Sequence, residues 1–158
     1  MRINSDAYTP TDINQIPESP YFVPVSGTAY DFRSMHPIGQ YITDASLPDG
    51  TSGPLKQLQI AHGYDSNWVL NDQGTYRLDA VAQDPQNGVT LWEYTDQPGV
   101  QLYTSSFLVG YLIGTSGPIY RQGAGFTLET QHYPDSHGNY ASSRLSQNAW
   151  AICRDGCV

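Results

Sequence analysis

Apolar residues recur at every second position in short runs along the chain, the mark of strands with one buried face. In residues 89 to 95, VTLWEYT, Val89 and Leu91 share one face while Trp92 and Tyr94 share the other. In residues 100 to 104, Val100 and Leu102 alternate with Gln101 and Tyr103. In residues 125 to 131, GFTLETQ, Phe126 and Leu128 point one way and Thr127, Glu129 and Gln131 the other. Residues 21 to 25, 66 to 70 and 76 to 82 read as further strands. Turn signals separate these runs at Ser26-Gly27, Pro48-Asp49-Gly50, Asn71 to Gly74, Asp84 to Gly88 and Gln97-Pro98-Gly99. The pattern predicts an all-β chain, a sandwich or an open barrel. Seven prolines before residue 55 predict that the first 60 residues form long loops over a sheet, with few strands of their own.

Composition narrows the picture. With 158 residues and no internal repeat or charge run, the chain is expected to be one domain or a large part of one. Three Glu and one Lys, set among fifteen Gly and eleven Pro, cannot supply several long helices. The net charge is −8, and the seven basic residues form no cluster, which argues against nucleic acid and against an anionic membrane surface. No run approaches the roughly 18 apolar residues of a membrane span. The opening MRINSDAYTPTD has no apolar stretch after its Arg, so no secretory leader is expected, and a cytoplasmic location follows if Met1 is the true start. Cys153 and Cys157 lie in the last six residues and read as two tail thiols, since a lone C-x-x-x-C pair is weak as a metal motif.

Three places could carry chemistry. Side chains two apart on a strand project in parallel about 6.6 to 7 Å from one another, so Thr127, Glu129 and Gln131 could grip a small polar ligand. If the face were covered, Glu129 would sit in low dielectric and serve as a general base; alternation alone fits an ordinary solvated face more often. In Gly63-Tyr64-Asp65-Ser66-Asn67-Trp68, Asp65 reads as a turn acceptor, while Trp68 could stack on a sugar ring but is more commonly core. The segment from His132 to His137 holds two His and Asp135 but also the turn signal Pro134-Asp135, so a polar loop is the commoner reading over metal. No G-x-S-x-G elbow, phosphate-binding glycine loop or H-E-x-x-H helix is present.

Taken in order, YTPTDINQIPESPYFVPVSGTAYDF, GYDSNWVL, LDAVAQDPQNGVTLWEYTDQPGVQLYTSSFL and GFTLETQHYPDS resemble the carboxy-terminal half of the aldose 1-epimerase (galactose mutarotase) family, from about residue 3 to about residue 136. The resemblance implies that residues 1–158 are the carboxy-terminal part of one large antiparallel β-sandwich, apparently incomplete. It implies a monosaccharide substrate bound in an open cleft, interconversion of the α and β anomers of free aldoses such as galactose and glucose, and no metal or organic cofactor. By the same resemblance Glu129, in LETQ, stands at the general base, while Asp65, in GYD, and Gln101, in PGVQLYT, stand at sugar-binding positions.

This sequence also departs from the family. The half preceding the match carries the histidine that serves as general acid, a second sugar-binding histidine and a binding arginine. None of His36, His62, His132 or His137 occupies the acid's motif. Position 66 is Ser where many members have His, and SRLSQNAWAICRDGCV lacks the usual final strand pattern. The resemblance therefore implies a base without its acid, supplied by a complementary amino-terminal half if at all. A carbohydrate-binding module that holds sugar without turning it over, or an inactive fragment, are the rival expectations.

Overall fold

The computed structural model describes residues 1–19, 21–42, 57–115 and 117–135. The Pro48-Asp49-Gly50 turn, His137, Cys153 and Cys157 lie outside the described residues. Ten strands appear among them: β1 (Arg2–Ile3), β2 (Ser5–Thr9), β3 (Val23–Pro24), β4 (Asp65–Leu70), β5 (Arg77–Gln83), β6 (Thr90–Thr95), β7 (Gly99–Tyr103), β8 (Val109–Ile113), β9 (Ile119–Arg121) and β10 (Thr127–Gln131). Among the described residues helix is confined to a single α-turn, Gln57–Ile60, and a 3₁₀ turn, Ile38–Gln40.

The strands pair antiparallel into a five-stranded sheet ordered β10-β7-β4-β2-β3, a three-stranded sheet ordered β1-β5-β6, and a hairpin of β8 and β9. The two larger sheets share one core, in which Tyr8, Trp68, Leu70, Val100 and Leu102 of the first meet Ile3, Ala80 and Ala82 of the second. The architecture is an antiparallel β-sandwich.

The predicted strands at 66 to 70, 76 to 82, 89 to 95, 100 to 104 and 126 to 131 are present within a residue or two of those bounds. The first 60 residues hold more strand than expected, because β1 joins one sheet and β2 the other. The reason lies in Tyr8, fully buried and stacked on Tyr30 with centroids 4.1 Å apart and planes within 4°. The segment around Tyr30 is not a strand, yet it fills the core with aromatic rings. Trp68 Nε1 donates to the Tyr30 carbonyl at 2.9 Å and the Tyr64 hydroxyl donates to the Ala29 carbonyl at 2.6 Å, so these large rings are buried with their polar ends paired. Trp68 is thus a core residue and presents no face to a ligand.

On β6 the alternation comes out with the aromatic face outward. Trp92 and Tyr94 are exposed, Tyr76 stacks against Tyr94, and Glu93 points inward with Thr95. Glu93 neighbours Asp79, which is fully buried and pairs with Arg77 Nε at 3.1 Å. Arg77 also donates to the carbonyls of Asn71, Thr75, Thr95 and Gln97, binding two turns together. Burial raises Asp79 to about 6 against the pull of Arg77, and burial reinforced by Asp79's charge raises Glu93 to about 7.

Candidate functional site

The five-stranded sheet has two unlike faces because side chains alternate and residues directly opposite in an antiparallel pair share a face. One row, Tyr8, Trp68, Val100 and Thr130, looks into the core. The next row runs Thr9, Asn67, Gln101 and Glu129 across β2, β4, β7 and β10, and it looks the other way. Asp65, Tyr103 and Thr127 form the adjacent row on that same face. Register alone therefore gathers Asp65, Gln101 and Glu129 from three strands that are distant in sequence.

Two glycines let this face form. Gly63 has φ +144°, and a Cβ there would stand 2.6 Å from Thr104 Oγ1. Without that side chain, Tyr64 N donates to Thr104 Oγ1 at 3.0 Å and Thr104 N donates to the Tyr64 carbonyl at 2.9 Å, which locks the start of β4 against the end of β7. Asp65 then lies within reach of Gln101, whose Nε2 donates to Asp65 Oδ1 at 2.8 Å. At the other end Gly99 leaves room for Asn67, since a Cβ at 99 would fall 2.5 Å from Asn67 Oδ1.

Polar contacts continue along the face. Gln131 Nε2 makes a long contact of 3.5 Å to Gln101 Oε1, and Thr127 Oγ1 donates to Glu129 Oε1 at 2.9 Å. Glu129 is only half-buried, so its carboxylate is open to a ligand. Beyond Gln101, a cavity of about 160 Å³ is lined by Thr9, Thr11, Gln15, Asp65, Asn67 and Gln101, among others. That is close to the roughly 150 Å³ that holds a six-membered ring in an engineered apolar cavity, but here the walls are hydroxyls, amides and a carboxylate. Glu129 stands outside this lining, one strand past Gln101.

Among the described residues no group of three His, Cys, Asp or Glu could hold a metal ion, and no helix is long and apolar enough to cross a membrane. Two of the described histidines make their contacts elsewhere. His36 bonds the Asp31 and Pro37 carbonyls and stacks on Phe32, and His62 lies beside Phe107. Asn67, Thr9, Thr11 and Gln15 were not singled out from the sequence. Asn67 had a signal, because it is two residues from Asp65 on a strand whose other face carries Trp68.

The site thus sets a carboxylate and amides on one face of an antiparallel sandwich, beside a cavity with polar walls. The family model for aldose 1-epimerase matches residues 1–149, and the chain belongs to that family. It is 37% identical over 136 residues to galactose mutarotase of Rattus norvegicus, covering 86% of this chain and 35% of that protein. The human galactose mutarotase is 36% identical over the same span, and aldose 1-epimerase of Haemophilus influenzae is 32% identical, with 36% of it covered. In fold the chain is similar to the galactose 1-epimerase of Lactobacillus acidophilus, with a TM-score of 0.57 at 23% identity over 84% of this chain and 35% of that one. It is similar too to an aldose epimerase homologue from C. elegans, with a TM-score of 0.62 at 18% identity over 85% and 36% of the two chains. The chain thus spans about a third of the length of the relatives it matches.

Proposed function

We propose that this chain is the base-bearing, sugar-binding part of an aldose 1-epimerase acting on free aldoses such as galactose and glucose. The carrying observation is the convergence of Asp65, Gln101 and Glu129 on one sheet face, with Gln101 hydrogen-bonded to Asp65 and directly opposite Glu129. In this reading Asp65 and Gln101 hold ring hydroxyls while the Glu129 carboxylate takes the proton of the anomeric hydroxyl. A general acid protonates the ring oxygen, the C1–O5 bond opens to the aldehyde, the C1–C2 bond rotates, and the C-5 hydroxyl closes on the other face. The proton then returns from the carboxylate to the new anomeric hydroxyl, and the acid recovers its own from the C-5 hydroxyl. Glu129 is open enough to meet a hydroxyl and is oriented by Thr127. In this reading the acid is a histidine supplied by a complementary amino-terminal part, as the family resemblance implies.

A positioned acid or base contributes about 10²- to 10⁴-fold, so the chain alone is a poor catalyst and the reconstituted protein a good one. Polarimetry on freshly dissolved α-galactose tests this. Joining the chain to the amino-terminal part of a relative should raise the mutarotation rate by about two to four orders of magnitude. Glu129→Gln should remove most of that gain while sugar binding persists, because the amide keeps the shape but accepts no proton. Undiminished turnover by the variant would show that Glu129 is not the base. The Asp65 and Gln101 pair, which can hold sugar hydroxyls without any acid or base, favours one second reading, a module that binds sugar without turnover. A reconstituted protein that binds galactose and leaves the rate unchanged would establish it.

A further inference from the structure

An aromatic pair stands among the polar groups of the site face, and the acid and base chemistry above makes no use of it. Tyr103 on β7 is directly opposite Asp65 on β4 and Thr127 on β10, and it lies two residues beyond Gln101 on its own strand. Side chains two apart on a strand are about 6.6 to 7 Å from one another, and the diagonal to Glu129 on the next strand is about 7 to 8 Å, within reach of an aromatic side chain. Tyr103 therefore sets a six-membered ring next to Asp65, Gln101 and Glu129 together. It stands outside the cavity lining, on the Glu129 side of Asp65, because β7 lies between β4 and β10.

This ring is only half-buried, and a neighbour holds it in place. Phe107 N donates to Tyr103 Oη at 3.0 Å, and the two rings are nearly parallel, with planes 12° apart and centroids separated by 6.3 Å. Hydroxyls tie down the turn that carries Phe107. Thr104 Oγ1 donates to the Tyr64 carbonyl at 3.2 Å, and Ser105 Oγ donates to the Gly125 carbonyl at 2.8 Å, just ahead of β10. Thr104, Ser105 and Ser106 are all buried, yet Phe107 beside them is 48% exposed. A ring fixed in this way loses little freedom when a ligand packs on it.

We infer that Tyr103 and Phe107 form an aromatic wall that packs on the C–H face of the sugar ring and tells aldoses apart by how much uninterrupted C–H surface that face presents. The inference rests on the sugar-binding reading and extends it. A pyranose carries hydroxyls around its rim and C–H groups on its faces. The rim suits carboxylates and amides such as Asp65, Gln101 and Glu129, while a face suits an aromatic ring, through burial of apolar surface and through C–H groups meeting the negative face of the π-system. In galactose the axial C-4 hydroxyl points away from the face bearing H-3 and H-5, so H-3, H-4 and H-5 make one continuous apolar patch. In glucose H-4 lies on the opposite face, and the equatorial hydroxyl interrupts the patch.

The test is titration of the 158-residue chain with galactose and with glucose, followed by NMR of both sugar and protein. On binding to wild type, H-3, H-4 and H-5 of galactose should shift upfield under the ring currents and take the strongest saturation transfer from the protein's aromatic protons. Phe107→Ala should weaken galactose about three- to tenfold, as one aromatic contact implies, and glucose about twofold or less, while the upfield shifts shrink. Phe107→Tyr should keep the wild-type affinity and Phe107→Leu should not, which separates stacking from plain apolar cover. Phe107 lies outside the buried core, so its variants leave the fold intact. Unchanged galactose affinity in Phe107→Ala, or an equal loss for the two sugars, overturns this inference and leaves the sugar-binding reading standing. A wild type that binds neither sugar overturns both.

Discussion

Glu93 offers the sharpest test of the energetics. Its side chain is buried in the core beneath β6, neither carboxylate oxygen has a hydrogen-bond partner among the described residues, and Asp79 adds a second negative charge. Together these raise the group from 4.5 to about 7. At about 1.4 kcal/mol for each pH unit between the two values, the ionised carboxylate costs the fold about 3 kcal/mol. The sign follows from proton binding: the folded state holds this proton more tightly than the unfolded chain. The proton's contribution is complete below pH 4.5, fades as the pH rises, and is gone above about 7. Glu93→Gln keeps the volume and removes the charge. It should raise the unfolding free energy by about 2 to 3 kcal/mol at pH 8 and change it by under about 1 kcal/mol at pH 4.5. Urea unfolding followed by tryptophan fluorescence at several pH values measures this. A difference between variant and wild type that does not change with pH would refute the account. So would a variant less stable than wild type at pH 8.

Other perturbations test the framework of the site. Gly99→Ala should cost about 1 to 3 kcal/mol in urea unfolding by driving a methyl into Asn67, and adding Asn67→Ala should recover much of that loss. Arg77→Met should cost about 3 to 5 kcal/mol, because it abandons buried Asp79 and frees two turns that its guanidinium joins, and thermal unfolding reads it directly. Trp68→Ala should cost about 3 to 5 kcal/mol by the same measurement, while Trp68→Phe should cost less because most of the ring volume stays.

Much of the sheet was legible in the sequence wherever alternation ran for five residues or more between turn signals, as in β6, β7 and β10. The polar face of β7 and β10 followed from the same alternation, so Gln101 and Glu129 could be read as outward. Their meeting with Asp65 could not, because it depends on register between strands far apart in sequence. Strands β1 and β2 escaped notice because SDAYT carries a single large apolar residue, Tyr8, whose burial is decided by Tyr30. In β8, Gly110 with φ +86° and a shift in register against β9 break the period that would have marked a strand. Glu93 shares its parity with Val89 and Leu91, so a buried carboxylate was implicit there. Which face of β6 turned inward was settled only by packing, since both faces carry large apolar residues.

The row Thr9, Asn67, Gln101 and Glu129 also bears on how the protein comes to work during folding. Its members stand on four strands drawn from nearly the whole described length, so no fragment forming early from local contacts can bind along it. A slip of β10 by one residue against β7 would leave every ladder bond available but put Leu128 or Thr130 where Glu129 stands, removing the carboxylate while the sheet persisted. A molecule that spans the row acts as a gauge of registration: it rewards the one alignment in which all four side chains face it. On the proposed reading, a sugar bound along the row would stabilise correctly aligned copies over slipped ones.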